Sequence, residues 1–174
     1  MRINRVIICT LALLIVESAV VPWLVPSDWS ERLLPHLSFI MTMFVAGFSG
    51  RHRAFLFGLG FGILSDMQYY GFLIGPYAFG MGLVGYLAGL ISERRTFSLG
   101  FFMWLLMVAG VVLDTLVYFI YKLFSLTDLA LGFVMYWQIA PTVLIQLLIA
   151  LILYVPIRRW LVHPSLSSAD ESSD

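Results

Sequence analysis

Charge is what this sequence has least of. Asp, Glu, Lys and Arg make up 11% of its 174 residues, against roughly 25% in soluble globular domains. There is one lysine, Lys122, and one cysteine, Cys9. A single cysteine excludes an intramolecular disulfide framework, and Cys9, set in an apolar run, reads as a small apolar residue. The sequence has no cluster of His, Cys, Asp and Glu at metal-ligand spacing, no phosphate loop and no nucleotide motif, so nothing in it calls for a cofactor or a metal. The formal net charge is zero. The basic residues flank apolar runs instead of forming a patch, which leaves no footprint for nucleic acid.

Apolar residues fill the space that charge leaves, at 61% of the chain. A helix that spans a bilayer needs about 20 mostly apolar residues. Six segments fit that description with short polar breaks: 6–25, 35–49, 54–70, 72–92, 97–121 and 133–157. The expectation is an all-α transmembrane bundle over residues 1–162, followed by a disordered tail, "HPSLSSADESSD", at 163–174. With six spans, Arg2, Arg5, Arg51, Arg53, Arg94, Arg95, Arg158 and Arg159 fall on one side, and only Arg32 and Lys122 on the other. The excess of positive charge puts that side, with both termini, in the cytoplasm. Trp23, Trp29, Tyr69, Tyr70, Tyr118, Tyr121, Tyr136 and Trp137 then cluster at the outer ends, where aromatic anchors belong. The second span is the shortest of the six. The first continues through "SAVVPWLVPSDW" with no small-x-small cleavage site, so it reads as an uncleaved span.

Eleven of the fourteen glycines fall between positions 47 and 89. Gly75, Ala78, Gly82, Gly85 and Gly89 recur at steps of three and four, and Gly58 and Gly62 form a second pair. Helices in lipid have no hydrophobic drive to associate, so small residues that let backbones approach supply the contact. These faces are expected to pack helices together or to receive a partner's helix. Asp66 continues the Gly58–Gly62 face by one more turn.

Glu17, Asp66 and Asp114 lie within the first, third and fifth spans, and no lysine or arginine lies within a span to pair with them. An ionised carboxylate at mid-bilayer costs about 2.5–3.5 kcal/mol even on the lenient insertion scale. Each acid should therefore face the interior with hydrogen-bonding partners, and candidates stand at helical spacing. Ser65 adjoins Asp66, Tyr118 lies one turn from Asp114, and Gln138, Thr142 and Gln146 form a row in the sixth span that Pro141 interrupts. Two readings stay open for Glu17, Asp66, Asp114, Gln138 and Gln146: an interior network that fixes helix register, or a binding site or partner contact. The three histidines, His36, His52 and His163, are expected at the interfaces.

Enzymatic readings fail at the motif. Intramembrane aspartyl proteases carry Gly-x-Gly directly before aspartate, whereas Gly60-Phe61-Gly62 is separated from Asp66 by three residues. "GFSG" at 47–50 imitates the rhomboid serine motif but leads straight into "RHR", with no histidine in a later span to act as base.

The third and fourth spans resemble those of the MreD family of rod shape-determining membrane proteins. The likeness is carried by Gly58-x3-Gly62-x3-Asp66, by "YYGFLIGPYAF" and by "GYLAGL" from Gly85 to Leu90, with Glu17, Ser18 and Pro35 in support. The last two spans match only in length and hydropathy. The resemblance implies a non-enzymatic component of the bacterial cell-elongation machinery in the cytoplasmic membrane. Its implied partners are a single-span protein like MreC, then MreB, RodZ, the RodA glycosyltransferase and a class B penicillin-binding protein. Asp66 and its flanking glycines would be the characteristic positions; Glu17 departs from the family pattern, where an amide fits. The alternative is the substrate-binding membrane subunit of an energy-coupling-factor vitamin transporter, also small, mostly six-span and related in fold. Those subunits commonly carry Ala-x3-Ala in the first helix, whereas Ala12 and Ala19 are seven apart here.

Overall fold

Each apolar run becomes a helix, the form in which a backbone can satisfy its own hydrogen bonds without water. The structure is a computed structural model, and it describes residues 3–24, 36–69, 73–94 and 98–162. Among these there is no strand. The order is α1 (Ile3–Leu24), α2 (Leu37–Ser49), α3 (Arg51–Tyr69), α4 (Pro76–Ser92), α5 (Leu99–Leu123) and α6 (Leu131–Val134). A π-helical turn at Met135–Ile139 then runs without a break into α7 (Ala140–Val162), so the last three pieces make one rod. The expected tail, 163–174, lies outside the described residues.

Local chemistry sets the helix boundaries. Gly50 alone separates α2 from α3, and its φ of +86° is one that side chains disfavour. Arg51, His52 and Arg53, expected in a break before 54, therefore form the first turn of α3. Helix α4 begins at Pro76, later than the expected 72, because proline presets the helical φ and its missing N–H costs nothing at the first position. Ser98 caps α5 by accepting the Phe101 N–H at 3.2 Å. Pro141 has no N–H for the carbonyl four residues back, and the ladder is passed through the π turn, where the Ala140 N–H bonds the Met135 carbonyl.

Helix α2 sits at the centre. It packs against α1, α3, α4, α5 and α7, and every residue from Leu37 to Ala46 is buried. Phe44, Phe102 and Tyr154 join α2, α5 and α7 there, with the Phe44 and Phe102 ring centroids 4.4 Å apart. The exterior is as apolar as the core, and polar side chains are drawn inside with it. Thr10, Glu17, Ser38, Thr42, Ser65, Asp66, Thr142 and Gln146 are inside, while Ile8, Leu56, Trp104, Leu148 and Ile152 stand on the exterior, Ile152 being 73% exposed. Such a surface suits hydrocarbon, not water. By length and composition Leu99–Leu123 and Leu131–Val155 can each cross a bilayer, and Val6–Ala19, Leu37–Ser49 and Pro76–Ser92 are shorter apolar helices.

The closest helix contact is that of α3 with α4. A Cβ on Gly58 would lie 2.5 Å from the Met81 carbonyl oxygen, one on Gly62 would lie 2.5 Å from Ala78 Cα, and one on Gly89 would lie 2.5 Å from Arg51 Cα. A Cβ on Gly85 would lie 3.0 Å from Thr42 Cγ2 and 3.1 Å from the Ala54 carbonyl oxygen. The two backbones are thus in contact along an antiparallel seam. Gly82 makes only ordinary contact with Phe55 and Leu59, and Gly75 has nothing within 4 Å. Gly75 is instead the residue that caps α4, at φ +137°. The sequence reading passed over Gly80 and Gly110, which let α5 approach α4 and α7: a Cβ on Gly80 would meet Leu113 Cδ1 at 2.6 Å.

These contacts give a controlled pair of variants. Gly62→Ala forces the α3–α4 seam apart and should cost about 1–3 kcal/mol, read as a lower unfolding midpoint in detergent. Gly60→Ala, with open space around it, should be neutral or slightly stabilising because alanine favours the helix.

Candidate functional site

The row Gly58, Gly62, Asp66 runs up one face of α3 at steps of four residues, so the three positions stack along the α4 seam. The glycines bring the α4 backbone close enough for the aspartate to reach the start of α4. Asp66 is fully buried and accepts three backbone N–H groups: Gly75 to Oδ2 at 3.0 Å, Tyr77 to Oδ1 at 3.1 Å and Ala78 to Oδ2 at 3.0 Å. The first turn of any helix leaves N–H groups without internal partners. Here Pro76 contributes none, and Asp66 takes those of Gly75, Tyr77 and Ala78. The negative carboxylate also meets the positive end of the helix dipole. Ser65, expected as its partner, turns away and lies 3.2 Å from the Ser38 hydroxyl, while donating to the Phe61 carbonyl at 3.0 Å.

Glu17 does the same for α2. Its Oε2 accepts the Leu37 N–H at 3.0 Å, and its Oε1 lies 3.8 Å from His36 Nδ1. His36 is buried, not interfacial, and its ring packs on Tyr77 with centroids 4.7 Å apart. The two caps therefore meet at adjoining helix starts. His52 is exposed and lies edge-on to Tyr86, and His163 is outside the described residues.

A third acid, which the sequence reading missed, caps α3. Glu93 Oε1 accepts the Arg51 N–H at 3.1 Å, and its Oε2 lies 4.0 Å from Arg51 Nη1. Arginines in a first turn oppose the helix dipole, and Glu93 offsets them. The available signal was Gly50 directly before a helix start, which has no side chain with which to cap itself.

Asp114 is placed differently. It lines a cavity of about 130 Å³ between α2, α4, α5 and the final rod, together with His36, Tyr77, Tyr118, Gln138 and Thr142. Asp114 has no hydrogen bond or ion pair among the described residues. Tyr118, one turn away, donates instead to the Leu129 carbonyl at 2.8 Å. Gln138 stands in the π turn and faces the cavity. Gln146 lies deeper, buried, with its Oε1 3.3 Å from where a Cβ on Gly110 would stand. The expected row Gln138, Thr142, Gln146 is thus divided between the cavity and the α5–α7 contact. Of the outer aromatics, Tyr136 and Trp137 are exposed, whereas Trp29 and Tyr70 lie outside the described residues.

Chemically, both Asp66 oxygens are engaged as acceptors, and Asp114 is open to the cavity. A family model described as rod shape-determining protein MreD matches residues 1–163 of the chain. No curated protein matches, and no solved structure matches.

The caps make a graded prediction. Asp66→Asn keeps the shape but loses the charge, and should cost about 3 kcal/mol, since hydrogen bonds to charged groups contribute about 1.5–3 kcal/mol each and do not add fully. Faster amide exchange at Gly75, Tyr77 and Ala78 should accompany the lower unfolding midpoint. Glu17→Gln, with one N–H to hold, should cost less, and Glu93→Gln, half-exposed, under about 1 kcal/mol. A loss below about 1 kcal/mol for Asp66→Asn would mean that the α4 N–H groups find other acceptors.

Proposed function

This chain belongs to the MreD family of rod shape-determining proteins, and from that footing we propose that it is a non-enzymatic, multi-pass scaffold of the cell-elongation complex. Membership makes it a bacterial membrane protein with a role in rod shape and an association with the rod-shape complex. The scaffold mechanism, the six spans with both termini in the cytoplasm, and the individual partners are our reading. The observation that carries it is the match over residues 1–163, from the first helix to the end of the last.

The geometry supports a rigid platform. Caps from Glu17, Asp66 and Glu93 tie the starts of α2, α4 and α3 to neighbouring helices, and the glycine seam holds α3 on α4. A platform of this kind positions other proteins without moving itself. Asp66 was a candidate for the docking point of a single-span partner, but its oxygens are occupied from within the chain. We therefore assign docking of an MreC-like partner to the apolar exterior, and give Asp66 the task of holding that exterior in shape. MreB, RodZ, RodA and a class B penicillin-binding protein complete the proposed assembly. The family match gives the vitamin-transporter alternative no support.

Affinity capture of the tagged protein from its own membranes in mild detergent, with mass spectrometry of what co-purifies, tests the reading. An MreC-like single-span protein and cell-wall synthases are the expected companions. Recovery of paired ATPases and a coupling subunit would overturn it.

A further inference from the structure

We propose that the cavity beside Asp114 is a binding site for a small organic ammonium ion. The cavity volume of about 130 Å³ is well above the roughly 10–15 Å³ that a single water requires, so the space admits a small molecule. A carboxylate removed from bulk water is stabilised by an opposite charge, yet Asp114 has no ion pair or hydrogen bond among the described residues. Lys122, the cation nearest in sequence, lies 5.8 Å from the centre of the Tyr118 ring and makes no ion pair with Asp114. Tyr77 and Tyr118 line the cavity, and aromatic rings attract ammonium groups through their quadrupole.

A second feature points to the same place. The π turn at Met135–Ile139 carries Gln138 to the cavity wall, with Thr142 one turn on. Single π turns inside α-helices are frequent at functional sites. Gln138, like Asp114, has no hydrogen bond among the described residues. The Gln138 amide suits a hydroxyl or ester oxygen set a short distance from the charge. The guest is therefore an ammonium ion with an adjoining oxygen, either free or as the head group of a membrane lipid.

The test uses the full chain purified in detergent. Choline and ethanolammonium are titrated against it by calorimetry, with 3,3-dimethylbutan-1-ol as the uncharged counterpart of choline, and native mass spectrometry detects retained phosphatidylethanolamine. Saturable binding of a free ammonium ion, or one retained ethanolamine lipid per chain, supports the site and names its source. Either should weaken at least about tenfold in Asp114→Asn, the loss of a charge-assisted contact. Gln138→Leu should weaken it less, and both variants should keep the wild-type unfolding midpoint. Equal binding of the uncharged alcohol, equal binding by Asp114→Asn, or no binding of any probe would overturn the proposal. So would binding that emerges only in Arg32→Gln, since the chain's own arginine would then be the occupant.

Discussion

The architecture depends on one interaction, the acceptance of three N–H groups at the start of α4 by the Asp66 carboxylate. A helix start in a low-dielectric interior cannot leave its N–H groups bare, because each buried donor without a partner costs about 1–3 kcal/mol. A carboxylate in the same interior cannot go unpaired either. Each is the remedy for the other. Gly58 and Gly62 make the meeting possible, since side chains there would hold α4 away from the aspartate. The row Gly58-x3-Gly62-x3-Asp66 is thus a single device: two positions without side chains and a carboxylate at the end of the row.

The device recurs with different parts. Glu17 caps α2 and Glu93 caps α3, and in each case the acid comes from another helix or its end, so the cap also joins two elements. Such joints matter for a protein whose exterior is apolar. With hydrocarbon outside, apolar burial does little to hold helices together, and polar joints and backbone contact must do it. The short α2, buried from Leu37 to Ala46, can sit at the centre because its start is held by Glu17 and its flanks by five neighbouring helices.

Much of this was legible in the residues. Low charge and long apolar runs pointed to helices, and the glycine row to a close contact. Other features were not. Gly75 belongs to the same three–four series as Gly82, Gly85 and Gly89, yet it ends the helix, because Pro76 after it sets where α4 begins. Arg51 and Arg53 read as a loop, since only the tight turn at Gly50 carries the helix through them. Ser65 and Tyr118 stand at helical spacing from acids but bond elsewhere, because spacing says which side chains are near, not which acceptors lie across the interface.

Periodicity and composition are properties of neighbouring residues, and they determined the class of fold and the approximate placing of the helices. Which donors those acids meet is a property of chain segments far apart in sequence, twenty residues for Glu17 and Leu37 and forty-two for Arg51 and Glu93. Only the packing of helices brings such groups within 3.1 Å. The same packing decided that Asp66 would be satisfied from within the chain and that Asp114 would face a cavity, a distinction between two aspartates in apolar runs that no local pattern carries.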